Sequence, residues 1–206
     1  MPFVSVERYP EFDALSHHYP RILAELHRIE LATWSKWGSD AIGPDGNAVF
    51  LIEGDWTVFP VYAGTRKAID RHVRLRQLPD SAIEAMLAKL IQAFPATTAV
   101  LRSLDRVNFA AFSRLRGQAS LAPHRHHNRG ALILHMGLAI PEGGTCGLEV
   151  ARDIHTWREP GELAIFNDSN MHSAWNHSQQ DRVVLYVDFR CDDPDEGVGA
   201  PDPSGL

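Results

Sequence analysis

Two stretches of strict alternation constrain this chain more than anything else in it. Across residues 131–140, Leu132, Leu134, Met136, Leu138 and Ile140 fall on one side of an extended strand; Ala131, Ile133, His135, Gly137 and Ala139 fall on the other. Residues 182–189 repeat the arrangement, with Val183, Leu185, Val187 and Phe189 opposite Arg182, Val184, Tyr186 and Asp188. The first set in each strand packs against an apolar layer. The second set around His135 is small residues plus one imidazole, which suits the inside of a barrel with room for a ligand. His135 alone reads either as a core histidine with satisfied hydrogen bonds or as a pocket residue. An arginine directed into a barrel keeps its proton and requires an anion, preferably a carboxylate held by two bonds. At a strand end, Arg182 also reads as a surface charge.

Upstream, residues 10 to about 31 carry apolar positions at helical spacing, with Pro20 expected to begin a second helical piece. Gly43-Pro44-Asp45-Gly46 is turn chemistry, and strands are expected over 48–52 and 56–62, joined by Glu53-Gly54-Asp55 as a hairpin. Residues 80–94 predict a helix, capped by Asp80 or Ser81 with Glu84 closing a capping box. Its stripe of Ile83, Met86, Leu87, Leu90, Ile91 and Phe94 is core, and Pro95 stops it. From Ala99 onward the pattern becomes short strands separated by Gly, Pro, Asn and Asp. The expected architecture is one domain over 1–190, mainly β with flanking helices. A helical part, 1–98, precedes a jelly-roll core from about 99 to 190, and an acidic, disordered tail follows at 191–206.

The formal charge of −6 resides largely in that tail, which holds Asp192, Asp193, Asp195, Glu196 and Asp202 and no basic residue. The remaining 21 acidic and 20 basic residues leave the globular part at −1, which argues against a nucleic-acid partner. Two cysteines are too few for a disulfide scaffold. No apolar run approaches the roughly 18 residues of a membrane span, and no signal peptide is visible. The expectation is a soluble, cytoplasmic protein.

Spacing adds chemistry to the fold. Gly161, His172 eleven residues later and Asn176 four beyond it match the second half of the cupin pattern, a jelly-roll signature. The Pro and second Gly of that pattern are Asn167 and Ser169 here. His124-Arg125-His126 then stands where jelly-roll metalloproteins place a first ligand pair, commonly His-x-Asp/Glu. The third residue here is His126, so a two-histidine, one-carboxylate site is not written in this sequence.

These features together resemble the aspartyl/asparaginyl β-hydroxylase family of Fe(II)/2-oxoglutarate oxygenases. The resemblance runs from roughly Asn108 to Phe189, with a weaker echo at Gly54-Asp55-Trp56-Thr57-Val58-Phe59-Pro60. Its marks are Phe112-Ser113-Arg114-Leu115, Pro123-His124-Arg125, His135-Met136-Gly137-Leu138-Ala139-Ile140-Pro141 and Thr156-Trp157. The run from Phe166-Asn167-Asp168-Ser169 through His172-Ser173-Ala174-Trp175 completes them, with Arg182 at the family's interval from the second histidine. The resemblance implies iron held by His124 and His172 with no carboxylate, and 2-oxoglutarate held by Arg182, Ser113 and His135. The implied activity is hydroxylation of a C–H bond by dioxygen, releasing succinate and CO₂. An amino acid, a peptide residue or a similar small molecule is the expected substrate, with a lipid A acyl chain as the alternative within the class.

Two departures bear on substrate. The family usually carries an arginine two residues before its His135 equivalent, and some members another two before that; this chain has Ile133 and Ala131 there, which disfavours an acidic substrate. Arg125 and Arg129 are the basic residues left to reach the pocket. The family often has a small residue in the place of His126. This histidine, beside His127, is read first as a surface residue, with a third metal ligand and a substrate contact as alternatives. The rival class is a three-histidine cupin-like dioxygenase or binding protein (His124, His126, His172) that does not use 2-oxoglutarate. It gives Arg182 and His135 no common role.

Overall fold

The computed structural model describes residues 2–29, 34–36, 56–64, 79–126, 130–143 and 145–191. The expected turn at 43–46, the strand at 48–52 with its hairpin, Arg129 and the tail beyond Cys191 lie outside the described residues.

Among the described residues, eleven strands form two antiparallel sheets. In chain order they are β1 (Phe3–Val4), β2 (Ser35–Lys36), β3 (Trp56–Ala63), β4 (Val107–Leu115), β5 (Ala119–His124) and β6 (Ala131–Ala139). The rest are β7 (Cys146–Val150), β8 (Asp153–His155), β9 (Leu163–Phe166), β10 (His172–Asn176) and β11 (Arg182–Arg190). The larger sheet runs β1-β9-β6-β11-β4-β3-β2 and the smaller β5-β10-β7-β8. From β4 onward the chain crosses between two facing sheets at each step except the β7–β8 hairpin, with early strands paired to late ones. That winding is a double-stranded β-helix, the jelly roll read from the sequence.

The alternation in β6 and β11 resolves as two apolar layers. Leu132, Leu134, Met136 and Leu138 join Val183, Leu185, Val187 and Phe189 in a core shared with the helices. Ile133, Val184, Leu121, Leu148, Phe166 and Ala174 form a second layer between the sheets. Both faces of the large sheet are therefore covered.

Among the described residues, three helices back the first layer: α1 (Asp13–Leu26), α2 (Asp80–Ala93) and α3 (Pro95–Arg102). Pro20 lies inside α1 and does not start a new helix. An interior proline costs about 3 kcal/mol, and tertiary packing offsets it. Leu15, Ile22 and Leu26 are buried against the sheet, and the Tyr19 hydroxyl donates to the Leu138 carbonyl at 3.2 Å.

The capping box at the start of α2 does not form; Pro79 occupies the cap position and no side chain bonds there. Its stripe is only partly core, with Ile83 and Phe94 buried and Ile91 40% exposed. The strands expected from Ala99 begin only at Val107, because α3 extends to Arg102. The N-terminus of α3 is capped from a distance. The Glu25 carboxylate accepts from the amides of Ala96 (2.7 Å) and Thr97 (2.9 Å) and from the Thr97 hydroxyl (2.6 Å). A buried carboxylate at a helix N-terminus satisfies donors left open there and complements the helix dipole.

Candidate active site

β5 and β10 carry one histidine each at the same level. His172 is the direct partner of His124 in the pairing register, with an irregularity between His172 and Ala174. Their ring centroids stand 4.2 Å apart. Both are buried.

Backbone carbonyls orient both rings. His124 Nδ1 lies 2.8 Å from the Ala122 oxygen and His172 Nδ1 lies 2.9 Å from the Asn170 oxygen. A carbonyl only accepts, so each Nδ1 carries the hydrogen and each Nε2 presents its lone pair. This is the arrangement by which outer partners fix metal-binding imidazoles. Burial lowers the pKa of His124 to about 4 and that of His172 well below the ordinary histidine value, with further repulsion from neighbouring histidines. Neutral imidazole is the form that binds a metal.

His126 is the first correction within the site. It is half-buried, not a surface residue, and lines the same pocket. Its ring centroid stands 5.4 Å from that of His124 and 5.8 Å from that of His172. Ligand atoms of the three histidines all lie within 4.8 Å of one another.

The co-substrate residues expected from the sequence meet in that pocket. Ser113 of β4, His135 of β6 and Arg182 of β11 line it with Ile133 and Tyr186. Arg182, at 1% exposure, is the largest of the fully buried side chains. Its Nη1 donates to the Gly147 carbonyl at 3.5 Å, and its Nε has no hydrogen-bond partner. Among the described residues no carboxylate pairs with it. The guanidinium lies over the Trp157 ring at 5.2 Å, and Trp157 stacks on His135 at 6.1 Å. Desolvation lowers the Arg182 pKa to about 10, which leaves it charged at neutral pH. His135 is buried with an unpartnered Nδ1, and burial followed by the Arg182 charge holds its pKa well below the ordinary value.

Ser113 is held ready from the side. The Trp56 indole donates to its Oγ at 3.0 Å. An indole N–H only donates, so the serine hydroxyl retains its own proton for another acceptor. Asn176, fully buried, donates to the carbonyls of Leu115, Arg116 and Gln180 at 2.7–3.1 Å. It ties the turn before Arg182 to the end of β4, which gives this residue of the spacing pattern a structural task.

Of the two arginines read as substrate contacts, Arg125 is half-buried and is not among the pocket's lining residues. Arg129 lies outside the described residues. Trp56, Asp168 and Tyr186, to which the sequence alone assigns no role, also line the pocket. Tyr186 shares the inward alternation of Arg182, so the same period-two signal marks it. Asp168 lies two residues beyond the end of β9, where strand periodicity no longer applies.

A pH prediction follows from the buried histidines. Folded His124 stays neutral down to about pH 4, and burial holds His135 and His172 well below the ordinary histidine value as well. The unfolded chain takes up these protons near pH 6.5. Between those limits the unfolded state binds more protons, so stability falls as pH falls from 6.5 toward 4. Thermal unfolding of metal-free protein across that range should show a falling midpoint; a flat profile would contradict it.

The fold and site define a jelly-roll protein with a histidine cluster and a buried cationic anchor in one pocket. The comparisons place it more closely. The family model described as Aspartyl/Asparaginyl beta-hydroxylase matches residues 16–191, and the chain belongs to that family. It is 38% identical over 189 residues to the ornithine lipid ester-linked acyl 2-hydroxylase of Rhizobium tropici, covering 91% of this chain and 60% of the relative. It is 27% identical over 136 residues to human aspartyl/asparaginyl beta-hydroxylase, covering 66% of this chain and 16% of the relative. The chain thus spans under two thirds of the length of either. A prolyl hydroxylase from Trichoplax adhaerens, solved with a hypoxia-inducible-factor peptide, overlaps 89% of this chain and 80% of its own at 12% identity and a TM-score of 0.48. The jelly-roll assignment rests on the strand order and not on that overlap. No described helix is long and apolar enough to cross a membrane.

Proposed function

We propose that this chain is an Fe(II)- and 2-oxoglutarate-dependent hydroxylase. On this reading His124 and His172 hold the metal, and Arg182, Ser113 and His135 hold the co-substrate. One observation carries it. A fully buried arginine faces the pocket that contains the histidine pair, and no protein carboxylate among the described residues neutralises it. A buried cation without an anion is strongly unfavourable. A dicarboxylate between Arg182 and the histidines supplies the anion.

When bound, iron(II) supplies oxidation of a C–H bond by dioxygen coupled to decarboxylation of 2-oxoglutarate, giving an alcohol, succinate and CO₂. The protein's own part is binding, orientation and exclusion of water. The Arg182 fork takes the far carboxylate through paired hydrogen bonds. The Ser113 hydroxyl donates to that carboxylate, and His135 addresses the end nearer the metal. Ile133, Leu121, Leu148 and Ala174 line the remaining wall and keep it dry. The rival three-histidine reading without 2-oxoglutarate leaves Arg182 and His135 without a task.

The substrate read here is an acyl chain, in place of an aspartate side chain. Ile133, fully buried, lines the pocket two residues from His135. An apolar wall cannot neutralise a buried carboxylate. The relative named for acyl 2-hydroxylation, which matches nearly the whole of this chain, supports the same choice.

The test measures succinate and oxygen incorporation with Fe(II) and 2-oxoglutarate across acyl-ester lipids, neutral amino acids and Asp-containing peptides. Acyl substrates should be turned over and Asp peptides should not, while Ile133→Arg should raise acceptance of acidic substrates. Efficient hydroxylation of Asp by the parent, unaffected by removing Arg125 and Arg129, would overturn the substrate reading. Absence of succinate with every substrate would overturn the reaction class.

A further inference from the structure

We infer that His126 is a third metal ligand, so that the centre is held by three neutral imidazoles. The inference rests on the metal site proposed above and adds a residue to it. Residues i and i+2 of an extended segment share a face. His124 closes β5, so its ring and that of His126 look the same way. The backbone then fixes the second one. The His126 amide donates to the Asp168 carbonyl at 2.9 Å, tying the segment after β5 to the loop between β9 and β10. That loop leads directly into His172. The bond therefore brings His126 beside the registered pair His124–His172, and the ligand atoms of all three fall within 4.8 Å of one another.

A metal–imidazole bond is about 2.0–2.1 Å, so cis ligands on one metal stand near 3 Å apart. Small rotations of the three rings bridge the difference. His124 and His126 come from one chain segment and His172 from the strand paired with it, so the three would hold the ion from the histidine end of the pocket. Arg182 lines the same pocket, so a ligand bound to that ion would lie within its reach.

The donor set has a chemical consequence. Three imidazoles suit iron, zinc, copper or nickel, and none of them cancels the ion's charge. The ion then strongly favours anionic oxygen donors, which matches a carboxylate-bearing co-substrate. Asp168 is the one acidic side chain among the residues lining the pocket.

The experiment uses the whole chain, stripped with a chelator and titrated with Co(II). Visible absorption reports the ligand field, and chelator competition gives the affinity. Loss of an outer-sphere partner costs roughly 10–100-fold in metal affinity. His126→Ala should exceed that range and change the Co(II) spectrum, and added imidazole should restore the parent spectrum. His126→Asp places an oxygen donor at the same point and should recover tight binding, which keeps the test valid if the alanine variant folds poorly. The exposed His177, changed to Ala, should alter nothing. Parent-like affinity and spectrum in His126→Ala, or a loss under 100-fold with an unchanged spectrum, overturns the inference and leaves the two-histidine reading in place. Titration of the Co(II) parent with 2-oxoglutarate is separate: no binding there removes the proposed co-substrate and leaves the three-histidine centre standing.

Discussion

Arg182→Ala is expected to weaken 2-oxoglutarate binding by about 30-fold to several thousand-fold. Truncating one partner of a buried charge pair costs about 2–5 kcal/mol, and each 1.4 kcal/mol is a factor of ten. Arg182 meets the conditions for the upper part of that range. It is 1% exposed, its Nε is unpartnered, and its remaining donor contact is a long 3.5 Å bond to Gly147. Among the described residues no other Lys or Arg lines the pocket. Arg182→Lys should recover little, because an ammonium lacks the planar fork that grips a carboxylate at two points. Metal-free, ligand-free protein should respond differently. Removing an unpaired buried cation relieves a desolvation cost, which offsets the packing lost over Trp157. The thermal midpoint of the apo variant should therefore move little, while the stabilisation that 2-oxoglutarate gives the parent should vanish. Calorimetric titration and thermal unfolding with and without 2-oxoglutarate make the comparison. Unchanged affinity in Arg182→Ala would remove the clamp assignment.

The parts of the fold legible in the sequence are those set by burial on two faces. β6 and β11 could be assigned face by face, because a slip of one residue would exchange His135 and Arg182 for leucine and valine. The helix at 80–93 was legible from its apolar stripe. What escaped depends on contacts far along the chain. α3 begins Pro95-Ala96-Thr97-Thr98, where the proline suits a first turn but the paired threonines favour helix little, and its cap is Glu25, some seventy residues earlier. Pro20 is tolerated for a similar reason, through packing that no local pattern reveals.

The site divides along the same line. Arg182, His135 and Ile133 were visible from alternation. The pairing of His124 with His172 was suggested only by spacing, since register across 48 residues is not a local property. His126 was misplaced because a neighbouring histidine made the segment resemble a polar loop. The bond from its amide to the Asp168 carbonyl, which turns it inward, joins two loops and has no sequence signature.

His172→Ala is expected to abolish metal binding and turnover together, an effect larger than that of any outer-sphere change in the site. β10 delivers this side chain directly opposite His124, and the Asn170 carbonyl fixes its Nδ1–H so that Nε2 faces the pocket. A two-imidazole pair at a centroid separation of 4.2 Å has no spare member. Removing either ring breaks the one histidine pair that the strand register sets opposite each other. His124→Ala should behave identically, and this symmetry separates ligands from mere neighbours. The fold should survive both changes, because the two layers of apolar side chains that hold the sheets do not include these rings. Each variant should therefore keep its far-ultraviolet dichroism while losing bound metal, measured by elemental analysis after equilibration with Fe(II) under anaerobic conditions. Succinate formation should fall to background in the same preparations. Stoichiometric, tight metal binding by His172→Ala would show that the ion sits elsewhere. A metal-bound structure with Asp168 or any other carboxylate at about 2.0–2.2 Å from the ion would replace the all-histidine centre with a conventional mixed one.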